Sequence, residues 1–227
     1  ALVTQPVLAR TGEPLIDWDW VGGHLDEIAA ATREHVELTV LAVGIGLLVS
    51  FPLGLLSARW RRWYAPVMWF SGLLYTIPSL ALFVFFIPIT GLSRTSALIG
   101  LVIYTLLILI RNLVAGLDAV PPDIKDAATG MGYGGGARLV RVELPLALPT
   151  IIAGVRIATV TTIGLVTITA YIGQGGLGQL IRQGLERDFT SPLYIGSILS
   201  VALAVLADLL LLLLQRLATP WARARTA

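Results

Sequence analysis

"DAATGMGYGGGARLVRVELPLALP", Asp126 to Pro149, decides how the rest of the chain is read. The stretch is rich in glycine, carries both charge signs, and separates two long apolar runs. Just upstream, Pro121 and Pro122 end the preceding apolar run, and proline is tolerated at the first position of a new helix. Asp123 and Asp126 then fall in the first turns, where the helix dipole favours negative charge. Ala127 and Ala128 have small side chains, so this short helix can press its backbone closely against another surface. Gly130, Gly132 and Gly134–Gly136 let the chain reverse, and "ARLVRVEL" forms a second helical stretch that runs into Pro145 and Pro149.

The chain has 227 residues, 56% of them hydrophobic and 13% charged, with a mean hydropathy of +0.83. A soluble domain carries about 25% charged residues, so this deficit points to an integral membrane protein. Five apolar runs meet the length of a span: Val36–Ala58, Ala65–Ile87, Ser96–Leu117, Thr150–Ile172 and Leu193–Leu214. Crossing about 30 Å of hydrocarbon takes about 20 helical residues. No run alternates as barrel strands do. The expected fold is all-α, with about five transmembrane helices.

Basic residues set the orientation. Arg59, Arg61, Arg62, Arg111, Lys125, Arg138, Arg141, Arg156, Arg216, Arg223 and Arg225 fall on one side of the membrane, and Arg10, Arg33, Arg94, Arg182 and Arg187 on the other. The positive-inside rule then puts the N-terminus outside, the C-terminus in the cytoplasm and the Asp126–Pro149 stretch in a cytoplasmic loop. Membrane topology thus accounts for the net charge of +2 better than nucleic-acid binding does. There is no cysteine, which excludes disulfides and cysteine-held metal, and no metal site is expected. The organisation that follows is an extracytoplasmic segment over 1–35, a transmembrane domain over 36–217 with its loop at 118–149, and a basic tail over 218–227. Residues 1–35 lack the apolar core of a cleavable signal, and the tryptophans of "IDWDW" (Ile16–Trp20) suit the outer interface. A second outer loop, Gly173–Pro192, starts with Gly173, Gln174, Gly175, Gly176 and Gly178, and Gln179–Arg187 reads as a short surface helix.

The spacing in the opening stretch carries more. Asp126-Ala127-Ala128, three residues, Gly132, nine residues, Val142, one residue, Leu144-Pro145 resembles the cytoplasmic "EAA" loop of bacterial ABC importer permeases. That loop runs Glu-Ala-Ala, three residues, Gly, nine residues, Ile, one residue, Leu-Pro; Asp stands here for Glu and Val for Ile. The resemblance implies a coupling helix, with Asp126, Ala127, Ala128, Gly132, Leu144 and Pro145 serving a groove of an ATP-hydrolysing subunit. Asp126 to Gly132 is expected to be that helix. No phosphate-binding loop of the Gly-x-x-x-x-Gly-Lys-Ser/Thr kind exists, since the only lysine is Lys125. The chain is expected to be no enzyme and to hold no cofactor, with ATP and Mg bound by the partner.

Further stretches are similar to one subfamily. "EHVELTVLAVGIGLLVSFPLGLLSAR" (Glu34–Arg59), "LLYTIPSLALFVFFIP" (Leu73–Pro88), "IRNLVAGLDAVPPDIKDAATGMGY" (Ile110–Tyr133), "VELPLALPTIIAGVRIAT" (Val142–Thr159) and "YIGQGGLGQLIRQGL" (Tyr171–Leu185) look like the osmoprotectant permeases, importers of glycine betaine, carnitine, choline or proline betaine. That resemblance implies two ATPase subunits, two permease subunits (identical or paralogous) and an extracytoplasmic substrate-binding protein. The alternatives are a permease for another small solute, of the methionine or phosphonate type, and an ATP-independent channel or secondary transporter. The last usually needs intramembrane carboxylates or inverted repeats, and the spans hold one embedded acid, Asp208, and no repeat.

Inside the spans, two groups of residues invite a role. Pro78 frees a carbonyl in mid-span and kinks the helix, and Thr76 and Ser79 can satisfy the freed groups. With Thr159, Thr161, Thr162, Thr167, Thr169 and Tyr171 they are candidate pathway residues, weighed against ordinary helix packing by small hydroxyls. Gly173–Gly178 is expected either to face the receptor or outer gate or to be a simple turn. At about 1.5 Å per helical residue, Arg156, Arg111 and Asp208 lie at similar depth in the cytoplasmic half of the bilayer. Pairing with Asp208, with Arg156 favoured over Arg111, offsets the cost of burying either charge alone. Snorkelling arginines beside a wet Asp208 are the other possibility.

Overall fold

The computed structural model describes residues 15–221. Arg10, Arg223 and Arg225, and with them most of the basic tail, lie outside the described residues. Among the described residues every regular element is helical.

Asp17 caps a short helix, α1 (Trp18–Gly23), by accepting from the amides of Asp19 and Trp20. Its own amide donates to Ser191 Oγ at 2.8 Å, which ties this end of the chain to the last span. The first span, α2, runs from Leu25 to Arg59. The expected start was Val36, because the preceding residues are polar. Good helix formers over Leu25–Glu34 carry the helix beyond the hydrocarbon, and the Arg33–Glu37 pair at 2.9 Å supports it on the exposed face.

The second apolar run is two helices, α3 (Tyr64–Thr76) and α4 (Ser79–Thr90). They are bent by 94° at the Ile77–Pro78 break. Pro78 has no amide hydrogen and drives Ile77 into an extended conformation, seen as ψ 129°. The kink expected at Pro78 within Ala65–Ile87 is therefore a full break of the span. The groups expected to satisfy the break are corrected. Thr76 Oγ1 donates to Leu73 O at 2.7 Å, inside its own helix, while the freed Ile77 carbonyl accepts from the Tyr104 hydroxyl.

The third span, α5 (Arg94–Asp118), leads to the short polar helix α6 (Pro122–Gly130). From Gly135 to Ile172 the chain is helical throughout: α7 (Gly135–Arg138), a π-helical turn over Leu139–Glu143, α8 (Leu144–Thr169), and a closing 3-10 turn over Ala170–Ile172. The fourth span thus starts before Thr150, and Pro145, which lacks the amide a regular helix would use, lies just after the π-helical turn. Helix α9 (Leu177–Glu186) and the fifth span, α10 (Thr190–Ala218), complete the chain.

The buried core joins α2, α4, α5 and α8 through Leu38, Ala42, Phe83, Ala97, Leu101, Val166 and Ile172. Helix α2 approaches α5 closely because Gly46 faces Thr105 and Gly54 faces Leu113, the small-residue contact that lets helices pack in lipid. A second cluster holds α9 between α2 and α10 through Ile28, Leu177 and Leu180. Much of α10 stays uncovered, with Val201, Val205, Leu209 and Leu213 exposed.

Candidate functional site

The loop between the third and fourth spans is a braced structure. Lys125 Nζ donates to Leu117 O at 3.1 Å and approaches Glu143 at 3.8 Å. Glu143 accepts from Arg138 Nε at 2.8 Å, and Arg138 Nη1 reaches Thr129 Oγ1 at 3.0 Å. These bonds fix α6 against the start of the fourth span. Leu144 packs in a cluster with Leu113, Leu117 and Ala147, so it anchors the loop to the bundle.

Helix α6 covers Pro122–Gly130 and not Asp126–Gly132. The two prolines set its start, and Gly132 lies beyond its end with φ +86°, a left-handed turn that glycine adopts without steric cost. Asp123, Asp126, Ala127, Thr129 and Gly130 are exposed, and Met131 beyond them is 72% exposed. Ala128 is 1% exposed and faces the chain's own interior. The expectation that both alanines offer a contact surface is therefore corrected to Ala127 alone. Consecutive helical residues point about 100° apart, and here the boundary between the outward and inward sides falls between Ala127 and Ala128.

Nearby, Arg61 Nη1 binds Asp118 Oδ2 at 2.8 Å and joins the end of α2 to the end of α5. The hydrogen bond it donates to Asp118, and then the carboxylate's charge, hold the Arg61 guanidinium above its usual pKa.

The stretch Gly173–Gly178 is not an open loop. Gly175, Gly176 and Gly178 are buried, while Gly173 and Tyr171 are exposed and Gln174 is half-buried. Gly173 and Gly176 have φ +77° and +45° and reverse the chain. A methyl at Gly176 would lie 2.5 Å from Ala31 O, and one at Gly178 would lie 2.3 Å from Thr167 O. The loop is thus folded back between α2 and α8. Helix α9 matches the short helix expected over Gln179–Arg187; it buries one face through Leu177, Gly178, Leu180 and Gly184 and leaves Leu185 and Glu186 exposed.

Among the pathway candidates, Thr76 and Pro78 are exposed and Ser79 is half-buried at the 94° break. The threonines of the fourth span do not form one polar face. Thr162 and Thr169 are buried against the bundle, and Thr159 donates to Val155 O at 2.8 Å. At about 100° per residue, Thr159, Thr162 and Thr169 fall on one side of α8, while Thr161 and Thr167 point to other sides.

Arg156 and Asp208 meet in two parallel bonds, Nε to Oδ1 at 2.9 Å and Nη2 to Oδ2 at 2.8 Å. This fork geometry is the strong form of an arginine–carboxylate contact. Gln215 extends it, accepting from Arg156 Nη1 at 3.2 Å and donating to Pro149 O at 3.0 Å. Sequence reasoning missed Gln215, which as a neutral residue near a span end gave no signal. It also missed His35, which is fully buried and whose Nε2 donates to Ile163 O at 3.0 Å. A histidine where the polar segment meets the first span carries no sequence signal of a buried carbonyl partner.

Four long apolar helices plus one broken pair among the described residues, with a braced polar helix between the third and fourth spans, define the architecture of a multi-pass membrane protein. The chain belongs to the binding-protein-dependent transport system inner membrane component family, which it matches over residues 50–220. It is 39% identical over 199 residues to the osmoprotectant import permease protein OsmW of Salmonella typhimurium, covering 85% of this chain and 92% of that one. It is 35% identical over 196 residues to the glycine betaine/carnitine/choline transport system permease protein OpuCB of Bacillus subtilis, covering 86% and 89%. Inward-facing structures of the MetNI methionine ABC transporter share the fold, with a TM-score of 0.76 at 22% identity over 87% of this chain and 98% of that chain.

Proposed function

We propose that this chain is the permease subunit of an ABC importer for a quaternary-ammonium osmoprotectant such as glycine betaine, carnitine or choline. The observation that carries the reading is the similarity, over nearly the whole of both chains, to permeases of osmoprotectant and glycine betaine/carnitine/choline systems. Hydrolysis of ATP takes place in a separate subunit, which binds ATP and Mg and meets the permease at the exposed face of α6. Asp126 and Ala127 supply that face, Gly132 turns the chain behind it, and Ala128, Leu144 and Pro145 hold it to the bundle.

The working assembly has two ATPase subunits, two permeases and an extracytoplasmic binding protein, in the cytoplasmic membrane with the N-terminus outside. The exposed hinge residues Thr76 and Pro78, together with Ser79, belong to the part of the surface where solute and partner permease meet. A methionine-type solute draws no support from the shared fold, because fold does not settle substrate. Uptake of radiolabelled solutes at high osmolarity, in cells lacking other osmoprotectant importers, tests the reading. Accumulation of glycine betaine, carnitine or choline is expected; accumulation of methionine or a phosphonate alone would contradict it.

A further inference from the structure

A groove of about 560 Å³ opens between α8 and α10, with the Arg156–Asp208 pair in its lining. Ligand sites commonly measure about 300–1,000 Å³ and combine apolar walls with a few placed polar groups. Here the walls are Ile157, Val160, Val205 and Leu209, with Thr161 beside them. Both charged side chains reach the opening, at 22% exposure for Arg156 and 36% for Asp208. Ionisable groups within a span mark ligand or ion routes more often than structure.

We propose that this groove is a binding station for a zwitterionic quaternary-ammonium solute, with its carboxylate on Arg156 and its cationic head beside Asp208. The proposal rests on the substrate class argued above and assigns it a place. A betaine carries the same two charges as the ion pair, in opposite order. It can therefore replace both partners at once and leave neither charge unpaired, which is the costly outcome for a pair away from water.

The chemistry of each end fits. A carboxylate takes the guanidinium fork that Asp208 now occupies, while Gln215 keeps Arg156 aimed through Nη1. A trimethylammonium group has no N–H to donate, so it needs an opposite charge and apolar surface. Asp208 and the walls from Ile157 and Val205 provide both. Choline has the cationic head alone. In the same groove it would separate Asp208 from Arg156 without giving Arg156 a new carboxylate, so the station discriminates zwitterions from simple cations.

Equilibrium binding of radiolabelled glycine betaine to the assembled permease–ATPase complex, without the binding protein, tests this. Saturable binding is expected for the wild type, with choline competing about ten-fold more weakly. The double variant Arg156→Leu, Asp208→Leu removes both charges together, a change that buried pairs tolerate, and Val160→Trp fills the groove while leaving the pair intact. Each is expected to weaken binding by about ten-fold or more, and Val160→Trp decides alone if the double variant does not assemble. A wild type that imports glycine betaine but shows no saturable binding overturns the station only. So does undiminished binding by either variant. A complete system with ATP and binding protein that imports no quaternary-ammonium solute overturns the substrate reading and the station with it.

Discussion

Replacing Gly178 by alanine places one methyl where α9 meets α8. That methyl would lie 2.3 Å from Thr167 O, 2.7 Å from Thr167 Cα and 2.8 Å from its carbonyl carbon. All three are backbone atoms of a long helix, so no side chain can swing away. Helix α9 must withdraw by about 1 Å to reach ordinary contact distance. On its other side it is confined, since Gly184 lies against the Leu193 backbone and Gly196 against Leu177 O. Overpacking of this kind costs about 1–3 kcal/mol, and each kcal/mol moves the unfolding midpoint of a chain this long by about 2–4 °C. The control is Gly72→Ala on α3, where an added methyl meets nothing within 4 Å. There the helix gains about 0.5–1 kcal/mol from the loss of a flexible residue. Thermal unfolding of the purified complex should lower the midpoint for Gly178→Ala and leave it equal or higher for Gly72→Ala. An unchanged midpoint for Gly178→Ala, or the reverse order, refutes the close-packed α8–α9 seam.

Three further outcomes follow from the same geometry. Tyr104→Phe removes the hydroxyl that satisfies the Ile77 carbonyl at the 94° break and should cost about 1–3 kcal/mol, read as a lower unfolding midpoint and a slower uptake rate; wild-type values for both would contradict it. Gly132→Leu forces a branched side chain to φ +86° at a cost of about 1–2 kcal/mol, and it should abolish uptake while membrane insertion persists; normal uptake would count against α6 as the coupling element. Phe83→Ala empties the centre of the core, where Phe83 is fully buried beside Gly100, and a loss of about 3–5 kcal/mol is expected; a midpoint within experimental error of wild type would show that the core is placed wrongly.

Hydropathy made the spans legible, because lipid selects long apolar runs regardless of how they pack. Pro78 marked a kink in the run from Ala65 to Ile87, but not its size, since the run is apolar on both sides and the partner of the freed carbonyl, Tyr104, is remote in sequence. The loop was legible in its parts because Pro121, Pro122 and Gly132 act through local backbone geometry. Which alanine faces outward was not, as helical phase depends on where the helix starts. Gly178 was misread as a loop residue because glycine signals flexible turns and close approach alike. Arg156 and Asp208 could be placed at one depth by counting residues, whereas Gln215 and His35 acquire partners only through the packing of distant helices.

The proposed contact between α6 and an ATP-hydrolysing partner is open to direct measurement, because the chain has no cysteine of its own. Ala127→Cys gives a single thiol on the exposed face of α6, which a photoactivatable maleimide can label in the assembled, transporting complex. The account predicts a light-dependent adduct with the ATPase subunit and a smaller yield when the thiol is placed by Ala128→Cys, whose parent side chain is 1% exposed. A complex that imports glycine betaine at the wild-type rate yet never yields an ATPase adduct from position 127 would contradict it.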